Sequence, residues 1–367
     1  RTIKSLVAGQ SYTMTEVSVP DGYATAKPVK FTVKNTTETQ NVEMVDLPTM
    51  KQINKVDAKS GEGLPGAKLR ITDEAGKVID EWVSDGKPHP IEKLIVGKTY
   101  TLTEVGLPDG YVTAEPVKFT VKDTGEVQKV VMKNEPSVIQ IDKVDEEGKA
   151  LAGAGLRIID KNNKRVDEWT SDGKGHTVKK LIVGETYTLK EVKAPEGYVT
   201  AEPVQFTVKD TKEIQKITMV NKCTRVEIIK VDAESGNMLS GASLEVHPKE
   251  KEDEIVDTWV TDITPHEILR LTAGTSYTIQ ENEAPDGYKI AEPVTFTVED
   301  TDKVQKVTMS DEREDIPKET PTESETPKKP EVPKTGDVFN PLFWGSTLVF
   351  SGAASALFLI IKLKKKK

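Results

Sequence analysis

Tyr187-Thr188-Leu189-Lys190-Glu191-Val192-Lys193-Ala194-Pro195-Glu196-Gly197-Tyr198 opens as a strand and closes as a turn. Alternate residues of a strand share a face, so Tyr187, Leu189 and Glu191 point the same way. The proline then presets a turn dihedral and the glycine closes it. A glutamate thus lies on an apolar face, where a charge is costly unless paired or neutralised. The pattern Tyr-Thr-x-x-Glu followed by Pro-(Asp/Glu)-Gly-Tyr occurs four times. It places Glu16, Glu104, Glu191 and Glu281 at intervals of 88, 87 and 90 residues.

Two further polar residues keep step with the glutamate. Thirty residues after it comes an amide or an acid: Asp46, Asn134, Asn221 or Asp311. Each follows a methionine by two positions, and in Ile217-Thr218-Met219-Val220-Asn221 the asparagine shares the face of Ile217 and Met219. Lys-Val-Asp recurs at Lys55, Lys143 and Lys230, which lie 49, 48 and 51 residues before their glutamates. In Val138-Ile139-Gln140-Ile141-Asp142-Lys143 the lysine shares the face of two isoleucines. A lysine, a glutamate and an amide or acid therefore all point into one core.

A period near 88 residues is too long for a solenoid repeat and fits a small domain with its own core. The chain divides into a partial module (1–48), three complete modules (49–135, 136–222 and 223–312), and a tail. The extra length of the last module falls around Pro248 to Asp253, as a loop insertion. Strands are short and turn-punctuated. Ala67 to Thr72 and Val78 to Ser84 flank a Glu-Ala-Gly turn, and Pro116 opens a cleanly alternating run to Val121, a place where proline is tolerated. No segment reads as a strong amphipathic helix. The expectation is an all-β, Ig-like β-sandwich repeated as modules in a linear array.

The net charge of −9 argues against nucleic-acid binding, and one cysteine, Cys223, excludes an internal disulfide framework. Residues 313–331 are rich in Pro, Glu, Thr and Lys, a composition that cannot build a core and favours extended, disordered chain. Twenty such residues at polyproline rise span about 60 Å. Val332-Pro333-Lys334-Thr335-Gly336 follows. The stretch from Val338 to Ile361 then carries no charge, enough for one transmembrane helix across a hydrocarbon core of roughly 30 Å. Lys362, Lys364, Lys365, Lys366 and Lys367 close the chain as a positive-inside signal. At the other end, Arg1-Thr2-Ile3-Lys4 opens in mid-module with no signal peptide, which reads as a fragment of a longer protein.

The order of residues 332–367 resembles the sortase sorting signal of Gram-positive surface proteins, Leu-Pro-x-Thr-Gly before an apolar span and a basic tail, with Val332 in place of leucine. The resemblance implies cleavage between Thr335 and Gly336, joining of Thr335 to peptidoglycan, a sortase transpeptidase as partner, and transient membrane insertion before sorting. An ordinary tail-anchored membrane protein is the alternative. The modules resemble the CnaB-type, or SpaA-like prealbumin-fold, domains of Gram-positive adhesins and pilins. Lys-Val-Asp, Leu151-Ala152-Gly153-Ala154, the run Trp169 to Gly173 and the run Tyr187 to Tyr198 carry that likeness.

Many domains of that family form a self-catalysed isopeptide bond between a lysine of the first strand and an Asn or Asp of the last. The resemblance implies Lys55 with Asn134, Lys143 with Asn221 and Lys230 with Asp311, promoted by Glu104, Glu191 and Glu281. Glu16 and Asp46 lack a partner lysine, so residues 1–48 can neither close a bond nor complete a sheet. Burial favours a neutral, nucleophilic amine and a protonated glutamic acid that can donate to a carbonyl. The competing reading is a buried Lys–Glu ion pair with the amide as spectator.

Other signals are weaker. His89, His176 and His266 recur at a similar loop position, one per module, too few to hold a metal. Trp82, Trp169 and Trp259 recur on a strand; they could stack on a ligand, but packing at the core or edge is favoured. Gly97-Lys98-Thr99 looks like the end of a phosphate loop but lacks the upstream glycine, and Gly184-Glu185-Thr186 replaces it in the next repeat. No cofactor or metal is implied, and no enzyme activity beyond single-turnover self-crosslinking. The sequence points to the stalk of a wall-anchored adhesin that meets a host extracellular ligand through a missing N-terminal region. A basal or ancillary pilin, or the spacer of a wall-anchored enzyme, are the rival readings.

Overall fold

The computed structural model describes residues 1–314. The spacer, the Val332–Gly336 pentapeptide and the apolar span expected near the C-terminus lie outside the described residues. Among those described, no helix is long and apolar enough to cross a membrane; all regular structure is β-strand.

The third module shows the plan. Its first strand, Val138–Asp145, lies between His176–Lys179, antiparallel to it, and the last strand, Gln215–Asn221, parallel to it. The second sheet has four antiparallel strands in the order Arg165–Asp172, Ala152–Ile159, Thr186–Lys193 and Val204–Thr207. The second and fourth modules repeat both sheets. Residues 1–48 form only two-stranded pairings, Ser11–Met14 with Val29–Thr32 and Tyr23–Ala24 with Leu47–Pro48.

Alternation makes the core. The first strand buries Ile139, Ile141, Lys143 and Asp145 and turns the residues between them outward. The two isoleucines pack against Leu156, Ile158 and Leu189 of the facing sheet and Met219 of the neighbouring strand. Each such side chain contributes about 1.5–3 kcal/mol on burial. Each complete module has its own cluster of this kind, which is why the repeat behaves as a domain. In the last module the extra residues extend the connection between Ser243–Pro248 and Asp257–Val260, outside both sheets.

Candidate functional site: a buried lysine, glutamate and amide

The lysine and the amide come from neighbouring parallel strands. In the second module Lys55 pairs with Met132, and Asn134 stands two residues further along the same face. The glutamate comes from the opposite sheet, where Glu104 pairs with Leu69. A register shift follows directly: Lys68 pairs with Gly106, so the strand bulges just after the glutamate. The same bulge follows Glu191 and Glu281. Bulges re-aim side chains, and here each one sits beside the carboxyl that reaches into the core. Sequence alternation alone did not reveal it.

All three expected trios meet. Lys55 Nζ lies 2.9 Å from Glu104 Oε1, with both side chains at most 2% exposed. Asn134 Nδ2 donates to Glu104 Oε1 and Oε2, at 3.1 and 2.9 Å, and to the Val112 carbonyl at 2.7 Å. Only the nitrogen end of the Asn134 amide can donate to the Val112 carbonyl, which fixes the orientation of the amide. In the third module Lys143 Nζ is 3.3 Å from Glu191 Oε1, and Asn221 Nδ2 donates to Glu191 Oε2 at 2.8 Å and to Val199 at 2.6 Å. In the fourth, Lys230 Nζ is 2.9 Å from Glu281 Oε1 and also contacts Asp311 Oδ1. Each glutamate is held by one further bond, from the backbone N–H of Ala114, Ala201 or Ala291.

The hydrogen bonding is incomplete where it matters. The amines of Lys55 and Lys143 have no acceptor other than the glutamate beside them, and the carbonyl oxygens of Asn134 and Asn221 lack a donor. A buried polar atom left so costs about 1–3 kcal/mol and asks for an explanation. Burial pulls the Lys55 and Lys143 amines below the usual lysine range, against the opposing pull of Glu104 and Glu191. Burial likewise pushes the Asp311 carboxyl up, against the pull of Lys230. Glu16 accepts the Ala26 N–H at 2.8 Å, as its counterparts do, but residues 1–48 bring no lysine to it or to the half-buried Asp46.

Two expectations need correction or extension. His89, His176 and His266 are not on loops; each opens a short strand. Each ring stacks on Trp82, Trp169 or Trp259 with centroids 3.9–4.1 Å apart. Nε2 reaches Asp80, Asp167 or Asp257 at 2.8–2.9 Å. The alternation of each histidine segment is the sequence signal for this placement. The tryptophans pack against the module cores. Among the described residues, no group of three or more His, Cys, Asp or Glu is placed to hold a metal ion.

Lys51 is a further buried polar residue, absent from the sequence expectations. It is a second buried lysine on the first strand of module two, at the core-facing position that Ile139 and Val226 hold in the next modules. Its Nζ donates to the Thr120 carbonyl at 3.0 Å and to Gln128 Oε1 at 2.7 Å, over the ring of Phe119. The same alternation that singled out Lys55 would have found it. Cys223 is buried beside Leu151 and Tyr198, and its thiol donates to Glu146.

Among solved structures, the Bacillus anthracis TIE protein is similar at 26% identity and a TM-score of 0.42, over 83% of this chain and 59% of that one. A streptococcal ancillary pilin matches at 17% identity and a TM-score of 0.32, over 73% of this chain and 99% of its own. BcpA, the major pilin subunit of Bacillus cereus, matches at 16% identity and 0.34, over 72% and 99%. No curated protein matches the chain. The family of SpaA prealbumin-like fold domains matches residues 1–48, 50–136, 137–223 and 224–313. The chain therefore belongs to the SpaA prealbumin-like fold family, as four successive copies of its domain.

Proposed function

We propose that this chain is the stalk of a wall-anchored surface adhesin, stiffened by one Lys–Asn or Lys–Asp isopeptide bond in each complete module. The observation that carries the reading is a buried amine and an unpaired amide carbonyl held beside one buried glutamate that contacts both residues. A neutral Lys55 amine attacks the Asn134 side-chain carbonyl carbon; the C–N bond forms and Nδ2 leaves as ammonia. Glu104 lies against that nitrogen and is the group positioned to carry the proton from the amine to the departing ammonia. In module four the acceptor is Asp311, so water leaves instead, and the raised pKa of that carboxyl favours the protonated form an amine can attack. Folding supplies the proximity, and effective molarities of roughly 10⁵–10⁸ M are available to well-oriented groups.

The bond would change the path of force. Tension enters at the start of the first strand and leaves from the end of the last, its parallel neighbour. A Lys55–Asn134 bond carries it across and leaves residues 56–133 unloaded. Pulling on the full chain is the test. Modules two to four should not unfold beyond their crosslinks, whereas Lys55→Ala should add one extension step of roughly 260 Å, at about 3.3–3.6 Å per released residue. The same step in the unsubstituted chain would overturn the reading. Residues 332–336 supply the proposed anchor. Sortase with a peptidoglycan-like amine should cleave after Thr335, and Thr335→Ala should abolish the cleavage; an unchanged chain in the first reaction would rule the anchor out.

A further inference from the structure

Each module meets the next through the same set of contacts. The backbone N–H and hydroxyl of Thr25 donate to the two carboxylate oxygens of Asp123, both at 2.7 Å. Thr113 does the same to Asp210, at 2.8 and 2.5 Å. Thr200 does the same to Asp300, at 2.8 and 2.7 Å. In every case the threonine follows a Gly-Tyr pair by two residues, and the aspartate sits in a loop of the following module. Two donors on one carboxylate fix both position and angle, which a single hydrogen bond does not.

A second contact lies beside it. Gly22, Gly110 and Gly197 have φ near 80–86°, and an added Cβ would stand 2.7–2.8 Å from the backbone oxygen of Lys93, Lys180 or Arg270. Only glycine allows that approach. The three cations themselves adopt φ of 61–66°, a region non-glycine residues occupy rarely. Their charged groups lie 5.0–5.5 Å from the ring centroids of Tyr23, Tyr111 and Tyr198. Strained backbone persists where surrounding contacts over-determine it, and here it recurs at every junction and on the residue that touches the neighbour.

The fourth module, which no described module follows, differs at these same positions. Ile290 replaces the threonine and is 61% exposed. Gly287 faces open space. Tyr288 is covered by Arg313, just past the end of the module, whose Nε bonds Asp232 at 2.9 Å. The Thr–Asp contact and the close backbone approach belong to the junction, then, whereas the Gly-Tyr turn itself, with Gly287 at φ 80°, belongs to the module fold.

We propose that the Gly-Tyr-x-Thr edge of one module and the Asp-Thr loop of the next form a docking surface that locks successive modules in one orientation, making the array a rod independently of its crosslinks. Spin labels at Lys87→Cys and Lys174→Cys, in the full chain with Cys223→Ser, report the separation of modules two and three. The distance distribution should be narrow, and Thr113→Ala with Asp210→Ala should at least double its width. A second label pair within module three, at Lys164→Cys and Lys174→Cys, should stay unchanged and certify the fold. A parent distribution as broad as that of the double variant, or a double variant as narrow as the parent, would overturn the proposal.

Discussion

The parallel strands Met50–Asp57 and Val127–Asn134 carry two buried lysines, each near a side-chain amide, one at either end of the pair. Lys51 is directly opposite Gln128, and Lys55 is opposite Met132, two residues from Asn134. Their surroundings differ in kind. Lys51 gives hydrogen bonds to two carbonyl oxygens, and Gln128 is itself bracketed by the backbone of Lys122, which donates to its oxygen and accepts from its nitrogen. Nothing there is left unpaired, and no carboxyl is among its partners. At the other end the amide carbonyl of Asn134 is without a donor, and Glu104 touches lysine and amide alike. Burial next to an amide is common to both ends. The shared acid and the unpaired carbonyl are what distinguish the end proposed to react.

The largest effect expected is on the bond itself. Glu104→Gln should leave the module-two crosslink unmade, so that the deficit from the variant's own sequence mass is smaller by one ammonia while the other two modules are unchanged. Lys51→Ile should leave the mass deficit of the chain intact. A deficit that depends on Lys51 would break the comparison. Next in size is stability. Lys55→Ala releases a closed loop reaching from residue 55 to 134, and by analogy with a disulfide of that span it should cost module two about 4 kcal/mol, read from denaturant unfolding. Lys51→Ile should change stability by less than about 1.5 kcal/mol in either direction, because a satisfied buried ion exchanged for a packed side chain is near neutral.

The smallest effect concerns Asp57, which pairs with Asn134 across the two strands. Hydrogen bonds from the Ser60 backbone and the Tyr111 hydroxyl hold its carboxyl down to about 2. A carboxyl depressed on folding contributes stability that is full above its unfolded value near 4 and lost as the pH falls through about 2. Thermal midpoints measured from pH 4 to pH 2 should fall, and Asp57→Asn should flatten that slope. An equal slope in the variant would remove Asp57 from the account.

Much of this was legible in the sequence because strand alternation and a fixed thirty-residue spacing are written residue by residue. They placed Lys143, Glu191 and Asn221 on one core and the sandwich around them. The bulge after Glu191 was not legible, since register depends on the partner strand. Nor were the Thr113–Asp210 contacts, which join residues 97 apart on different modules. The placement of His176 on a strand against Trp169 was written in the alternation of its own segment and passed over, as was Lys51.

The most direct measurement is the intact mass of the full chain. The account predicts a deficit of two ammonias and one water, with Lys55→Ala, Lys143→Ala and Lys230→Ala each restoring one of the three losses. A folded chain at its full sequence mass would contradict it and leave three buried Lys–Glu ion pairs in place of the crosslinks.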